Sequence, residues 1–176
     1  MRRALFALIL AVLAPNASEA QNATGLETLV KLRGFQQKIR LDSMVIWNDV
    51  FASPGAAYSS AKHILDSLKF KIHVADSVRG VLHADFHTPS TRIAGHQRSW
   101  MTRCGSGLSG DYADTWRLSL SYVVYIKPGK DDKTRIGSAF FAGADPIEGV
   151  SKASMPCPST GNMEDLLFKA VQLRVL

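Results

Sequence analysis

The sequence predicts an α+β domain of two layers, an antiparallel sheet of about five or six strands with two helices packed on one face. Three observations predict it. Trp116, Leu118, Leu120, Tyr122, Val124 and Ile126 fall on every second position, the period of a strand with one face pressed into a core. Ser53-Pro54 opens a run in which Ala57, Ala61, Ile64, Leu65 and Leu68 follow at helical spacing. A second helical run closes the chain, with Met163, Leu166, Leu167, Ala170 and Val171 behind an acidic first turn of Glu164 and Asp165.

Residues 1–20 read as an export signal. Arg2 and Arg3 supply a positive start, Ala4 to Ala14 an apolar run, and Ser18-Glu19-Ala20 the small residues read at a cleavage point, so the mature chain is expected to begin at Gln21. The apolar run is shorter than the roughly 20 residues a membrane span needs. The polar residues that surround a twin-arginine pair are missing and no cysteine sits at the cleavage point, so ordinary secretion is expected over twin-arginine export or lipid anchoring. Periplasmic and secreted destinations both remain open.

Removing Arg2, Arg3 and Glu19 lowers the formal charge from +6 to +5. Such an excess aids solubility and favours anionic surfaces. Lys and Arg are scattered rather than gathered into a stripe, which argues against a nucleic-acid partner. Cys104 and Cys157, two cysteines in an exported chain, read as one disulfide. On the chain-entropy model, a loop of that length stabilises by about 4 kcal/mol.

Along the mature chain, 21–43 is a lead-in with Leu26, Leu29, Val30 and Leu32 near helical spacing and Lys31, Arg33, Lys38 and Arg40 around Gly34. A mobile segment and a short helix docked on the domain both fit. Asn22-Ala23-Thr24 is a glycosylation acceptor only in a eukaryotic host. The single domain then occupies 44–176. Its expected elements are a strand over Met44–Phe51, a helix from Pro54 to about Leu68, and strands over Phe70–Ala75 and Val78–Phe86 with turn or bulge chemistry between them. A polar strand over Arg92–Arg103 and a glycine-rich loop over Cys104–Asp114 precede the strand Thr115–Ile126. Pro128 to Asp132 turns into a strand over Lys133–Ala142, Ala142–Pro158 reads as loop, and a helix over Gly161–Val175 ends the chain.

Gly105-Ser106-Gly107-Leu108-Ser109-Gly110 matches the dinucleotide pattern in letters only. That chemistry needs a strand before the loop and a helix N-terminus after it, and here a cysteine precedes and a strand is expected to follow. Neither serine sits in a nucleophile elbow. His83, Asp85 and His87 lie two apart on one strand, so their side chains share a face. Two imidazoles and a carboxylate there suit zinc or a similar ion, with His96 as a third nitrogen ligand and, in a catalytic variant, one position open for water. The bland alternative is a solvated strand face, because Leu82, Ala84 and Phe86 supply the buried side. Asp111, Asp114 and the Asp131-Asp132 pair read as loop solvation, and Trp47, Trp100 and Trp116 as core or rim.

Cys104-Gly105-Ser106-Gly107, the strand after it, and Cys157-Pro158-Ser159-Thr160-Gly161 before an acidic helix start resemble a family of uncharacterised exported bacterial proteins. In these a CGSG loop and a C-x-STG segment bracket a β-rich region, and the resemblance runs from about Trp47 to Leu176. The element order is also similar to small envelope lipoprotein domains of the outer-membrane assembly machinery, without their lipid-attachment cysteine. It implies export and a fold, not an activity.

The leading functional expectation is a non-enzymatic envelope or secreted module that binds a protein, the envelope or a small ligand, with no cofactor. The alternative is a metal-binding protein or metal-dependent enzyme using the His/Asp/His face.

Overall fold

A computed structural model describes residues 44–88, 91–147 and 153–175. The lead-in 21–43 lies outside them. Ten strands and four helices run in the order β1 Ile46–Val50, α1 Pro54–Ser67, β2 Lys71–Asp76, β3 Val81–Thr88, β4 Arg92–Ile93, β5 His96–Gln97 and α2 Arg98–Met101 among the described residues. They continue as β6 Ser106–Gly107, β7 Gly110–Asp111, α3 Tyr112–Thr115, β8 Arg117–Pro128, β9 Thr134–Asp145, β10 Met155–Pro158 and α4 Asn162–Val175. The fold is α+β. A six-stranded sheet has the order β1-β9-β8-β3-β2, with β10 pairing beside β1 on the outer edge of β9. All its pairings are antiparallel.

The alternation read along β8 holds. Leu118, Leu120, Tyr122, Val124 and Ile126 join Leu82, Ala84, Ile136, Phe140, Ala142 and Ala144 in one core, which α1 and α4 cover with Ala57, Ala61, Leu65, Met163, Leu167 and Val171. Fully buried Ala57 and Ala61 have no bulk to hold neighbours away, and α1 packs along α4 and across β8. The β8–β9 hairpin turns at Asp131 and Asp132, both at positive φ, the twist a two-residue hairpin turn requires.

Helix α1 begins as its sequence predicts. Ser53 Oγ accepts from the Ala56 N–H at 3.3 Å and Pro54 takes the first helical position. Its end is less ordinary. Phe70 N–H donates to Leu65 O and Lys69 N–H to Asp66 O, the paired bonds of a Schellman cap, with Lys69 at φ 66° where glycine is usual. Replacing a left-handed side chain relieves about 1 kcal/mol. Lys69→Gly is therefore expected to raise the denaturant midpoint without changing the m-value.

Two segments depart from the sequence expectation. Arg92–Arg103 is not one strand: Ala94 and Gly95, at φ 51° and 81°, reverse the chain into the β4–β5 hairpin, and 98–101 coils into α2. Bonds donated to Asp114 and Trp116 draw it in. Ser99 N–H donates to Asp114 Oδ1 at 3.1 Å, while the buried Arg98 guanidinium donates to Asp114 O and Trp116 O. Ala142–Pro158 is not all loop either, since β9 runs on to Asp145 and β10 pairs with it through Cys157↔Ala142. Pro156 and Pro158 disguise this strand. Prolines are tolerated there because β10 is an edge, and its carbonyls accept from Arg103 N–H and Thr102 Oγ.

The stretch between β3 and β8 packs into the helical side of the core through Ile93, Met101, Cys104, Tyr112, Ala113 and Trp116. Cys104 and Cys157 are disulfide-bonded, tying this stretch to β10.

Candidate functional site

The sheet has a second face, turned away from α1 and α4. Register fixes what lies on it: His83 opposite Val123 and Asp85 opposite Ser121, with Lys71 of β2 beyond Asp85. A bulge between Ile72 and Val74 adds a residue to β2 and turns His73 toward the same carboxylate. His73 Nε2 lies 3.1 Å from Asp85 Oδ2, and His83 Nε2 lies 3.5 Å from Asp85 Oδ1 and 2.8 Å from Ser121 Oγ. Burial pushes the Asp85 carboxyl up, but hydrogen bonds from His83 and Ser121 and the two imidazoles outweigh it and hold the group below its ordinary value.

Of the sequence candidates, His83 and Asp85 come together. The side chain of His87 lies outside the described residues. His96 is placed elsewhere: it stacks on Trp100 with ring centroids 4.0 Å apart, in the β4–β5 hairpin. The neighbour of Asp85 that sequence reasoning missed is His73. Its signal was present, since Lys71 and His73 alternate away from Ile72, but the bulge and hairpin register that bring it to Asp85 are tertiary facts. Among the described residues no group of three His, Cys, Asp or Glu side chains converges as a metal shell.

His73, His83 and Ser121 meet around the Asp85 carboxylate. Ser121 Oγ and Asp85 Oδ1 both meet the same imidazole nitrogen of His83. Asp111 and Asp114 do more than face solvent: Asp111 Oδ1 caps α3 through the Ala113 N–H at 2.8 Å, and Asp114 ties down α2. The Gly105–Gly110 loop is the β6–β7 hairpin, and the four-residue α3 follows it before β8. Leu108 stands fully exposed at its tip.

At the other corner of the second face, Trp47 lies across Gly137, where an added Cβ would come within 2.6 Å of the indole. Only glycine leaves that room. Lys127 Nζ sits 4.2 Å from the indole centroid, Arg135 Cζ 5.4 Å, and the Tyr125 ring 6.3 Å. Arg135 also approaches Asp49 at 3.9 Å. This corner carries aromatic surface and two cations outside the main core.

No helix among the described residues is long and apolar enough to cross a membrane. Compared with known proteins, the chain matches no family model and no curated sequence.

Proposed function

We propose that the chain is an exported, non-enzymatic binding module that meets a protein or the cell envelope through the second face of its sheet. The observation that carries this is the Trp47 corner. An indole laid over a glycine and bracketed by Lys127 and Arg135 contributes nothing to the helical core, yet it presents apolar area with positive charge at its rim. That chemistry suits an anionic partner surface, in keeping with the positive charge of the chain. The signal-like N-terminus, the disulfide and the resemblance to exported proteins support export.

The test is a photo-crosslinking amino acid placed at Lys127 and, as a control, at Lys62 on the exposed side of α1, each expressed in the exporting host. Lys127 is expected to give a discrete adduct that excess unlabelled chain competes away and Trp47→Ala chain does not. An adduct at Lys62 alone, or none at Lys127, overturns the proposal.

A second reading, uptake of a divalent cation by His73, His83 and Asp85, is favoured by one contact set: each oxygen of the Asp85 carboxylate has an imidazole nitrogen beside it. The rings, with centroids 6.3 Å apart, must then turn toward a common point. Calorimetric titration with zinc is expected to give one site per chain, lost in His83→Ala. A flat isotherm for the unaltered chain ends this reading.

A further inference from the structure

The Trp47 corner continues along β1 to a second ring. Phe51 follows the strand four residues after Trp47, in step with its alternation and about 13 Å farther on. It is 73% exposed, and Lys133 Nζ stands 4.6 Å from its ring centroid. Trp47 has its own cations in Lys127 and Arg135, at 4.2 Å and 5.4 Å. Three cations therefore lie against two rings at one end of the β8–β9 hairpin. Lys127 and Arg135 are also direct cross-strand partners. Like charges placed opposite each other disfavour the pairing. Asp49, 3.9 Å from Arg135, offsets part of that repulsion, and an anion laid over the pair removes the rest.

We infer that this corner docks on an anionic phospholipid surface, with Trp47 and Phe51 at the level of the glycerol backbone and Lys127, Lys133 and Arg135 among the headgroup phosphates. The inference rests on the reading of the Trp47 corner as the recognition site, and it names the partner. Charge alone does not select lipid. Of the four cations Lys127, Lys130, Lys133 and Arg135, three are offset by Asp49, Asp131 and Asp132, leaving an excess of one. The pairing of ring with cation does select it. Indole and phenyl rings carry apolar area into the boundary of a bilayer, while the ammonium and guanidinium groups beside them stay at the phosphates. A protein partner gains most from an aromatic anchor that it encloses in a dry pocket. Two rings about 13 Å apart on one strand, each with a cation already on it, fit a surface that meets both at once.

The test is co-sedimentation of the exported full chain with vesicles of phosphatidylglycerol and phosphatidylcholine, against vesicles of phosphatidylcholine alone. The unaltered chain is expected to prefer the mixed vesicles, and to do so less as salt is raised. Lys127→Gln/Arg135→Gln is expected to lower partition about 30-fold, from roughly fivefold for each cation removed. Lys62→Gln/Lys169→Gln removes the same charge from exposed positions on α1 and α4 and is expected to change it by less than about twofold. Phe51→Ala is expected to weaken partition about tenfold at every salt concentration, because its contribution is apolar. Asp131→Asn/Asp132→Asn keeps side chains that accept the left-handed turn and is expected to strengthen partition several-fold, a gain that misfolding does not supply. No preference for the mixed vesicles overturns the inference, as does an equal loss in the helix variant. Displacement by inorganic phosphate at constant ionic strength also overturns it, since that marks a site for the free ion. Should the vesicles fail while the crosslinker at Lys127 still yields its competed adduct with a protein, the lipid partner falls and the recognition corner stands. Failure of both ends both.

Discussion

Removal of the Cys104–Cys157 bond, by the double substitution Cys104→Ala/Cys157→Ala, is expected to lower stability by about 4 kcal/mol. For a domain of this size that corresponds to a fall in Tm of roughly 15 °C. The bond joins residues 53 apart in sequence, so its loss frees a long loop in the unfolded chain. The local argument points the same way. The stretch from β4 to α3 consists of two-residue hairpins and four-residue helices, elements too short to hold themselves. Besides its core side chains, it is held to β10 and the start of α4 by the disulfide and a few bonds: Arg103 N–H to Pro158 O, Thr102 Oγ to Cys157 O, and Thr160 N–H to Met101 O. Denaturant unfolding with and without reductant checks this. Reductant should reproduce the loss in the unaltered chain and leave the double variant unmoved, whereas a loss under about 1 kcal/mol would contradict the role given to the bond.

Glu164 is the second position of large effect. The β1 pairing ends at Ser138 and that of β10 begins at Phe141, so the edge of β9 is left open at two residues between them. The carboxylate of Glu164, reaching from α4, fills the gap. Its Oε1 accepts from the Phe140 N–H at 3.2 Å and its Oε2 from Ser159 Oγ at 2.8 Å, and Ser159 Oγ accepts in turn from the Gly161 N–H. Glu164→Ala leaves a buried amide without an acceptor and is expected to cost roughly 2–3 kcal/mol. Glu164→Gln keeps an acceptor for Phe140 and is expected to cost far less.

The pH dependence separates the two roles of this carboxyl. Burial pushes its pKa up, against the opposing hydrogen bonds from Ser159 and Phe140. A carboxyl that is a weaker acid folded than unfolded favours folding most when protonated. Its contribution is full below the unfolded carboxyl range and declines as pH rises through the raised folded value. The stability of the unaltered chain relative to Glu164→Gln is therefore expected to fall as pH is raised from about 4. A difference that grows with pH would show that the ionised group is the favoured one.

The helices and the long β8–β9 hairpin were legible because their signals are local. A cap and proline open α1, alternation marks β8, and an acidic first turn marks α4. The β10 strand was hidden, since Pro156 and Pro158 read as loop until the edge position of the strand is known. Arg92–Arg103 misled in the opposite direction: its composition suits a strand, but the left-handed pair Ala94-Gly95 and the long-range bonds of Arg98 break it up. The Glu164 gap and the His73 bulge arise from register, which no single stretch of sequence encodes. His83 and Asp85 were found by alternation along one strand. Their partner across the hairpin could be found only from the pairing.

The most direct test of the second face as the recognition surface is side-chain NMR of the labelled chain, alone and with the envelope fraction of its host. The account predicts that the Trp47 indole and the Lys127 and Arg135 side chains shift or broaden, while Leu65 and Leu167 under the helices stay in place. Changes confined to the helical side or to Leu108, with the Trp47 corner unmoved, would contradict it.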